Sequence, residues 1–210
     1  MPATLRVFAS DRIAVFCEIL GHYPDKLRML DIAAGHCAFA VAAAKMGRKV
    51  TCLDARTERV PFAELAKHGI EFIHADVNAY TFDAEQFDLI LLLGILYHLT
   101  LEEQIALLRR CSARLTIIDT HYSLKPDITH GPYSGHVYYE DAEKRRNVAS
   151  AWTSPESFWH TSESWLRLFT DSGYACAMKV EPEINPLDRR SFYVCEPVGS
   201  SSGPAAAVWS

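Results

Sequence analysis

Residues 27–54, LRMLDIAAGHCAFAVAAAKMGRKVTCLD, are the segment most informative about the fold. The apolar run 27–33 predicts a buried strand, and the alanine-rich run 37–46 predicts a helix that Gly47 ends. A second apolar run, 49–54, predicts the next strand. Strand, helix and strand in this order form a βαβ unit, whose two strands lie parallel.

Elements of the same two kinds alternate along the rest of the chain. Helical periodicity predicts helices at 10–20, from about 58 to 67, after Thr100, and from about 162 to 172. Apolar runs predict further strands at 70–77, 87–95, 115–120, 175–181 and 191–196. The last two are close enough in sequence to form an antiparallel hairpin through the turn at Asn185 and Pro186. This alternation predicts an α/β sandwich of three layers around a mostly parallel sheet.

Composition and charge limit the class of protein. The length of 210 residues suits a single domain, predicted at 1–198, and a tail rich in serine, glycine and alanine, predicted to be disordered, at 199–210. The net charge of −5 gives no global attraction to nucleic acid or to an anionic membrane. The six cysteines form no CxxC pair, so no disulfide framework and no metal site is predicted. Because neither a signal-peptide pattern nor a membrane-spanning run is found, we expect a cytoplasmic protein.

Three aspartates stand where the first three predicted strands end, namely Asp31, Asp54 and Asp76. The ends of parallel strands meet at one edge of the sheet, where ligands bind. Gly35, between the first strand and the next helix, lets the backbone approach a ligand closely. In chain order, the three carboxylates can accept hydrogen bonds from an ammonium group, from ribose hydroxyls and from an adenine amino group.

These residues, with the run 87–99, resemble the successive motifs of class I S-adenosylmethionine-dependent methyltransferases. The resemblance covers residues 25–123 and implies a Rossmann-like, seven-stranded sheet with an antiparallel last strand. It also implies S-adenosylmethionine as cofactor, S-adenosylhomocysteine as product, and the following cofactor-binding residues: Asp31, Ala33, Gly35, Asp54, Ala55, Asp76, Val77, Leu93 and Gly94. The chain departs from the family's glycine-rich loop at Ala33 and Cys37, where glycine is usual, and this departure bears on cofactor affinity.

The segment that follows the fourth predicted strand, residues 94–99, is expected to face both cofactor and acceptor. Methyl transfer is an in-line displacement, for which a protein supplies alignment and, where the acceptor carries a proton, a base. Tyr97 and His98 are the catalytic candidates there, although a histidine at this place in the family often only bonds to nearby backbone. His121, at the same edge of the sheet, is the alternative base.

Residues 124–160 are predicted to be an insertion after the fifth strand. The insertion is rich in aromatic residues and shows no clear periodicity before Ser154 and Pro155, which predict the start of a helix. Two interpretations remain open: a lid that folds over a flat acceptor, or a surface flap that its aromatic residues hold against the sheet. The substrate-binding candidates in and beside it are Tyr122, Tyr138, Tyr139 and Trp152.

The predicted function is therefore transfer of a methyl group to a small-molecule acceptor, with an oxygen or nitrogen nucleophile favoured. An NAD(P)-dependent oxidoreductase is disfavoured, because its GxGxxG loop would need glycine at Ala33 and Ala38. Residues 94–98 also resemble the matching segment of transfer-RNA wobble-uridine carboxymethyltransferases. No stripe of basic and aromatic residues supports an RNA substrate here. A non-catalytic relative that binds the cofactor or a partner is the remaining alternative, and the expected assembly is a monomer or homodimer.

Overall fold

The computed structural model describes residues 3–7, 11–141, 143, 146–147, 151–182 and 189–199. The strands of the main sheet are β1 (Ala3–Val7), β2 (Arg28–Ile32), β3 (Lys49–Asp54), β4 (Glu71–His74), β5 (Leu89–Leu93), β6 (Leu115–His121), β10 (Tyr174–Pro182) and β11 (Arg190–Pro197). A smaller sheet holds β7 (Ile128–His130), β8 (Tyr133–Tyr139) and β9 (Glu156–His160). The helices are α1 (Arg12–Gly21), α2 (Ala38–Lys45), α3 (Phe62–Lys67), α4 (Leu101–Cys111) and α5 (Ser162–Asp171). The predicted turn at Asn185 and Pro186, and the predicted tail beyond Gly199, lie outside the described residues.

The described strands of the main sheet follow the order β1-β10-β11-β6-β5-β2-β3-β4. All of their pairings are parallel except the two that β11 makes, with β10 and with β6. The predicted Rossmann-like sheet of seven strands with an antiparallel last strand is therefore confirmed. An eighth strand, β1, extends the sheet beside β10. This strand was not predicted from the sequence, because five residues contain too few repeats of the helical or the strand period to be recognised.

Alternate side chains of the central strands fill two hydrophobic cores, one on each face of the sheet. Leu89 and Leu91 of β5 lie in the core that also holds buried residues of α1 and α2. Ile90 and Leu92 of the same strand lie in the core that holds buried residues of α4 and α5. Because a strand directs successive side chains to opposite faces, this division produces the predicted three-layer sandwich.

The helix starts follow local chemistry. Thr100 and Glu103 form the predicted capping box of α4, in which each side chain accepts the backbone N–H of the other. The predicted start of α3 near Glu58 is wrong, since the helix begins at Phe62 after Pro61. Proline disfavours helical angles at the residue before it, which delays the start.

No helix in the described part of the chain is long and apolar enough to cross a lipid bilayer.

The insertion folds as an antiparallel sheet of three strands, with β8 between β7 and β9. The predicted helix start at Ser154 and Pro155 is wrong, because β9 begins immediately afterwards. Gly135 of β8 permits this pairing: a Cβ atom there would stand 2.3 Å from the carbonyl oxygen of Trp159 on β9. Only a residue without a side chain allows the two strands to approach so closely.

His160, fully buried at the end of β9, joins the insertion to the main domain. Its Nε2 lies 2.8 Å from Gln104 Oε1 on α4, and its Nδ1 lies 2.7 Å from Ser164 Oγ on α5. Because the amide oxygen of Gln104 only accepts hydrogen bonds, Nε2 carries the proton and Nδ1 accepts from the serine hydroxyl. The network therefore uses a neutral imidazole, and burial lowers the pKa of His160 to about 3.

This histidine makes the fold sensitive to acid. The unfolded chain binds a proton at His160 below about pH 6.5, whereas in the folded chain His160 is protonated only below about pH 3. The free energy of unfolding is therefore expected to fall as the pH drops through this window, by up to about 1.4 kcal/mol per pH unit. Urea unfolding between pH 7 and pH 4 measures the slope. A His160→Gln variant starts less stable and should show a shallower slope; equal slopes would contradict the assignment.

Candidate functional site

The loop after β2 has an unusual backbone. Ala33, Gly35 and Cys37 have left-handed angles, with φ of 58°, 56° and 54°. Glycine adopts such angles freely, whereas other residues pay a steric cost. Ala33 and Cys37 are the two positions that depart from the glycine-rich pattern, yet both keep a glycine-like conformation. The N–H group of Ala33 donates to the Leu53 carbonyl at 2.7 Å, which fixes the loop against β3.

Replacing Ala33 by glycine is expected to raise the free energy of unfolding by up to about 1 kcal/mol. The change removes the steric cost of a left-handed φ, which is about 1–2 kcal/mol. It also gives the unfolded chain more conformational entropy, and this second effect destabilises the fold by a smaller amount. Ala34→Gly is the matched control: Ala34 has an ordinary φ, so the same change there should destabilise by about 0.4–1 kcal/mol. Thermal unfolding of both variants tests the prediction, and equal destabilisation by the two would argue against strain at Ala33.

Asp54 holds this loop in position from the end of β3. Its Oδ2 accepts the N–H of Gly35 at 2.7 Å, and its Oδ1 accepts the N–H of Arg56 at 2.8 Å. The side chain is 9% exposed, so it reaches the surface only at the cleft. A carboxylate has about four acceptor sites, and the two that remain are available to a ligand's hydroxyl groups.

Asp31 lies beneath the same edge of the sheet, on β2, and is 2% exposed. Burial and, to a smaller extent, the negative charge of Asp54 together raise the pKa of its carboxyl to about 8. Asp31 pairs with Cys52 across β2 and β3, two residues before Asp54, so the two carboxylates point to the same face. A cation placed nearby would favour the charged form of Asp31.

The cleft at this edge has two connected pockets. The first pocket is lined by Asp54, Ala55, Asp76 and Val77 on its sheet side. Trp152 closes the other side, where its ring stacks on the Arg56 guanidinium at 5.1 Å. The sequence analysis assigns Trp152 to the acceptor, whereas the structure places it with the predicted cofactor residues.

The second pocket opens on the α1 side of the cleft. Its lining includes Arg12, Phe39, Leu93 and Tyr97. The two pockets share Ala33, Gly35, Arg59, Gly94 and His98. The structure therefore brings the predicted loop, the strand-end residues and the Tyr97–His98 pair into one continuous cleft. Of the nine predicted cofactor residues, only Asp31 lines neither pocket.

Aromatic rings form the wall beyond the second pocket. The ring centroid of Tyr97 lies 4.4 Å from that of His98 and 4.6 Å from that of His121. Trp159 of β9 stacks parallel to His121 at 5.3 Å, and the Tyr138 ring of β8 contacts Trp159 at the same distance, tilted by 31°. The insertion therefore contributes aromatic side chains to this wall, as both interpretations of its role require.

The two candidate bases differ in electrostatics. Burial, followed by the charges of His121 and Arg190, lowers the pKa of His98 to about 4, so its imidazole is neutral at pH 7. Nε2 of His121 lies 2.6 Å from Nη2 of Arg190. Because a guanidinium can only donate, the lone pair on that nitrogen of His121 already accepts a hydrogen bond. His98 is therefore the histidine with the more accessible lone pair on the cleft.

A buried ionic cluster adjoins the second pocket, and the sequence analysis missed it. Asp119 on β6 has no exposed surface, and its Oδ2 accepts hydrogen bonds from Nε and Nη2 of Arg12 and, at 2.9 Å, from Nη1 of Arg190. Nη2 of Arg190 also donates to the Tyr97 hydroxyl at 3.0 Å. The sequence does hold one signal for this cluster: Asp119 lies near the end of a predicted strand, as Asp31, Asp54 and Asp76 do.

The remaining substrate candidates lie further out. Tyr122 lines a shallow groove with Lys125 and Arg189, and the Lys179 ammonium lies 5.7 Å from its ring. Tyr139 is 64% exposed and lines neither pocket. Among the described residues, no group of three or more histidine, cysteine, aspartate or glutamate side chains is arranged to hold a metal ion.

Comparison with known proteins gives a family match and a set of similar folds. Residues 29–116 match the model of a family described as a methyltransferase domain. The N-terminal domain of EvdMO1, solved with S-adenosylhomocysteine bound, aligns with a TM-score of 0.68 at 22% identity over 90% of this chain and 82% of that one. A Burkholderia thailandensis 1,6-didemethyltoxoflavin-N1-methyltransferase aligns with a TM-score of 0.63 at 19% identity over 89% and 77%. A Clostridium acetobutylicum S-adenosylmethionine-dependent methyltransferase aligns with a TM-score of 0.60 at 12% identity over 87% and 89%. No curated protein sequence matches significantly.

The cleft can be tested for its fit to S-adenosylmethionine on its own geometry. Gly35 forms a cradle without a side chain, since a Cβ atom there would stand 3.0 Å from Nη2 of Arg59. Asp54 offers acceptors for ribose, and a cation near the buried Asp31, which lies under the loop and outside both pocket linings, would stabilise its charged form. Asp76 and Val77 border the first pocket, where an adenine ring has polar partners at its edge. The residues present therefore fit this cofactor.

Proposed function

We propose that this chain is a class I S-adenosylmethionine-dependent methyltransferase and that it methylates an oxygen or nitrogen atom of a small-molecule acceptor. The observation that supports this most strongly is that the two pockets adjoin: the pocket that suits the cofactor's adenosine shares Gly94 and His98 with the pocket that Tyr97 lines. When bound, the cofactor supplies an electrophilic methyl group, whose bond to sulfur breaks as its bond to the acceptor forms.

The residues that would hold the cofactor divide along the cleft. Asp54 accepts the ribose hydroxyls, Asp76 and the backbone of Val77 meet the adenine, and Asp31 compensates the ammonium charge through the loop. Ala55, Leu93 and Gly94 line the cleft and would contact the cofactor without forming side-chain hydrogen bonds to it. The glycine-like conformation of Ala33 and Cys37 supports cofactor binding, because the loop keeps its shape without the usual glycines.

In this proposal His98 is the base. Its imidazole is neutral over the physiological range, lies on both pockets, and receives the proton that a neutral acceptor loses. A base whose pKa is about 4 is weak, so it suits an acceptor that is itself acidic. Tyr97 aligns the acceptor against the wall that His121 and Trp159 complete. Tyr138 supports that wall, while Tyr122 and Tyr139 contact only a larger acceptor.

The test is an acceptor screen followed by a pH profile. Small phenols, acidic heterocycles and amines are screened by release of S-adenosylhomocysteine. With the best acceptor, the acid limb of kcat/KM is expected near pH 4 instead of near pH 6.5, because a base acts only above its own pKa. His98→Gln should lower kcat by about 100-fold or more. Full activity in His98→Gln, or an acid limb near pH 6.5 that this variant retains, would remove His98 from the role of base.

A further inference from the structure

Three hydrogen-bond donors converge on one point in front of Gly94. The position that a Cβ atom would take there is 3.5 Å from the Tyr97 hydroxyl, 3.7 Å from Nη2 of Arg12 and 3.9 Å from Nη1 of Arg190. These are the three nearest heavy atoms to that position. Gly94 itself has a φ of 110°, a conformation that strongly favours glycine, so the space stays open.

The chemistry of these donors selects a negatively charged oxygen. The Tyr97 hydroxyl accepts from Arg190, which can only donate, so its own proton is directed elsewhere. Arg12, Arg190 and Asp119 together carry one positive charge, and two of them are buried. A buried excess of positive charge is stabilised by an anion that accepts several charge-assisted hydrogen bonds.

From this geometry we infer that the acceptor carries, besides the atom that is methylated, an acidic oxygen group, a phenolate, enolate or carboxylate, that binds as the anion in front of Gly94. The inference rests on the proposed function and narrows its substrate class. Tyr97 and Arg12 line the second pocket and are absent from the lining of the first, so these two donors lie away from the pocket that suits the adenosine. The carboxylate of the cofactor's methionine is the competing source of the same chemistry, and the experiment separates the two.

The titratable and charged groups around the second pocket and the ionic cluster come from three elements and the loops between them. They include Asp11 and Arg12 at the start of α1, His36 before α2, Arg59 before α3, Tyr97 and His98 after β5, Asp119 and His121 on β6, and Arg190 on β11. Asp11 is engaged as the N-cap of α1, where its side chain accepts the N–H of Ala14. The balance of charge near the donors therefore favours an anion.

The experiment uses 4-nitrophenol, whose anion is yellow and whose pKa lies near neutrality, with benzoate as a second probe. The full chain is titrated at several pH values with and without S-adenosylhomocysteine. The pKa of bound 4-nitrophenol is expected to be about 1 to 3 units lower than in solution, and benzoate should compete with it. Tyr97→Phe and Arg12→Gln should reduce the shift, while Tyr80→Phe, a tyrosine outside both pockets, should keep it.

Calorimetry is the second part of the experiment. Arg12→Gln should weaken the binding of S-adenosylhomocysteine and the binding of methylthioadenosine, which lacks the amino acid, to the same small extent. Selective loss of S-adenosylhomocysteine affinity would assign the donors to the cofactor's carboxylate and overturn the inference. An unshifted pKa of bound 4-nitrophenol, or no binding of either probe at millimolar concentration, would overturn it as well. Failure of S-adenosylhomocysteine to bind the wild type would instead contradict the proposed function, and the titration without it still tests the donors.

Discussion

Asp119→Ala is expected to lower the free energy of unfolding by about 3–5 kcal/mol, the usual cost of removing one partner from a buried ion pair. The carboxylate has no exposed surface, and Arg190, which donates to it at 2.9 Å, is 8% exposed. Without Asp119 the Arg190 guanidinium loses this buried counter-charge, while Arg12, whose side chain is 33% exposed, can turn towards water. Urea denaturation at neutral pH measures the change.

The matched control is Asp25→Ala, which removes the partner of Lys26 at the surface. The Asp25 side chain is 70% exposed, and such pairs contribute about 0–1 kcal/mol. A double change, Asp119→Leu with Arg190→Met, removes both charges and should recover part of the loss. If Asp119→Ala destabilises no more than Asp25→Ala, the cluster does not stabilise the fold as its burial indicates.

Asp54→Ala is expected to weaken S-adenosylhomocysteine binding by about 1–3 kcal/mol, or roughly 5- to 150-fold, because it removes acceptors from buried donors. The change acts twice: it removes the proposed partner of the ribose, and it frees the Gly35 and Arg56 N–H groups that hold the loop. Calorimetry with the wild type and the variant measures the difference.

Asp83→Ala serves as the control for this second prediction. Asp83 also accepts a backbone N–H, that of Glu85, but it lies away from both pockets. Its loss should leave S-adenosylhomocysteine affinity within about a factor of two, since a surface substitution away from a site changes free energies by only about 0.5 kcal/mol. Unchanged affinity in Asp54→Ala would contradict the assignment of ribose to this carboxylate.

The parts of the fold that the sequence predicts share one property, which is that a local pattern determines them. β2, α2 and β3 come from long apolar runs interrupted at Gly47, and β5 is buried along its whole length. The capping box at Thr100 likewise needs only residues three apart. Strand-end aspartates follow from the same reasoning, since parallel strands must bring their ends to one edge.

The parts that it missed depend on contacts between distant residues. Arg12 and Asp119 are 107 residues apart, and Asp119 and Arg190 are 71 apart, so no spacing rule joins them. In the insertion, β7 is exposed throughout and gives no hydrophobic alternation. Ser154 and Pro155 carry the local signature of a helix start, but pairing with β8 through Gly135 makes the following segment a strand. The position of Trp152 depends on its contact with Arg56, which the sequence cannot show.

The decisive experiment is a crystal structure of the chain with S-adenosylhomocysteine, since the proposed function requires that the cofactor lies across the carboxyl edge of β2, β3 and β5. We expect electron density that runs from Val77, past Asp54 and Gly35, to Gly94, with the ribose hydroxyls within hydrogen-bond distance of the Asp54 carboxylate. Density for the ligand elsewhere on the molecule, or a ribose that makes no contact with Asp54, would contradict it.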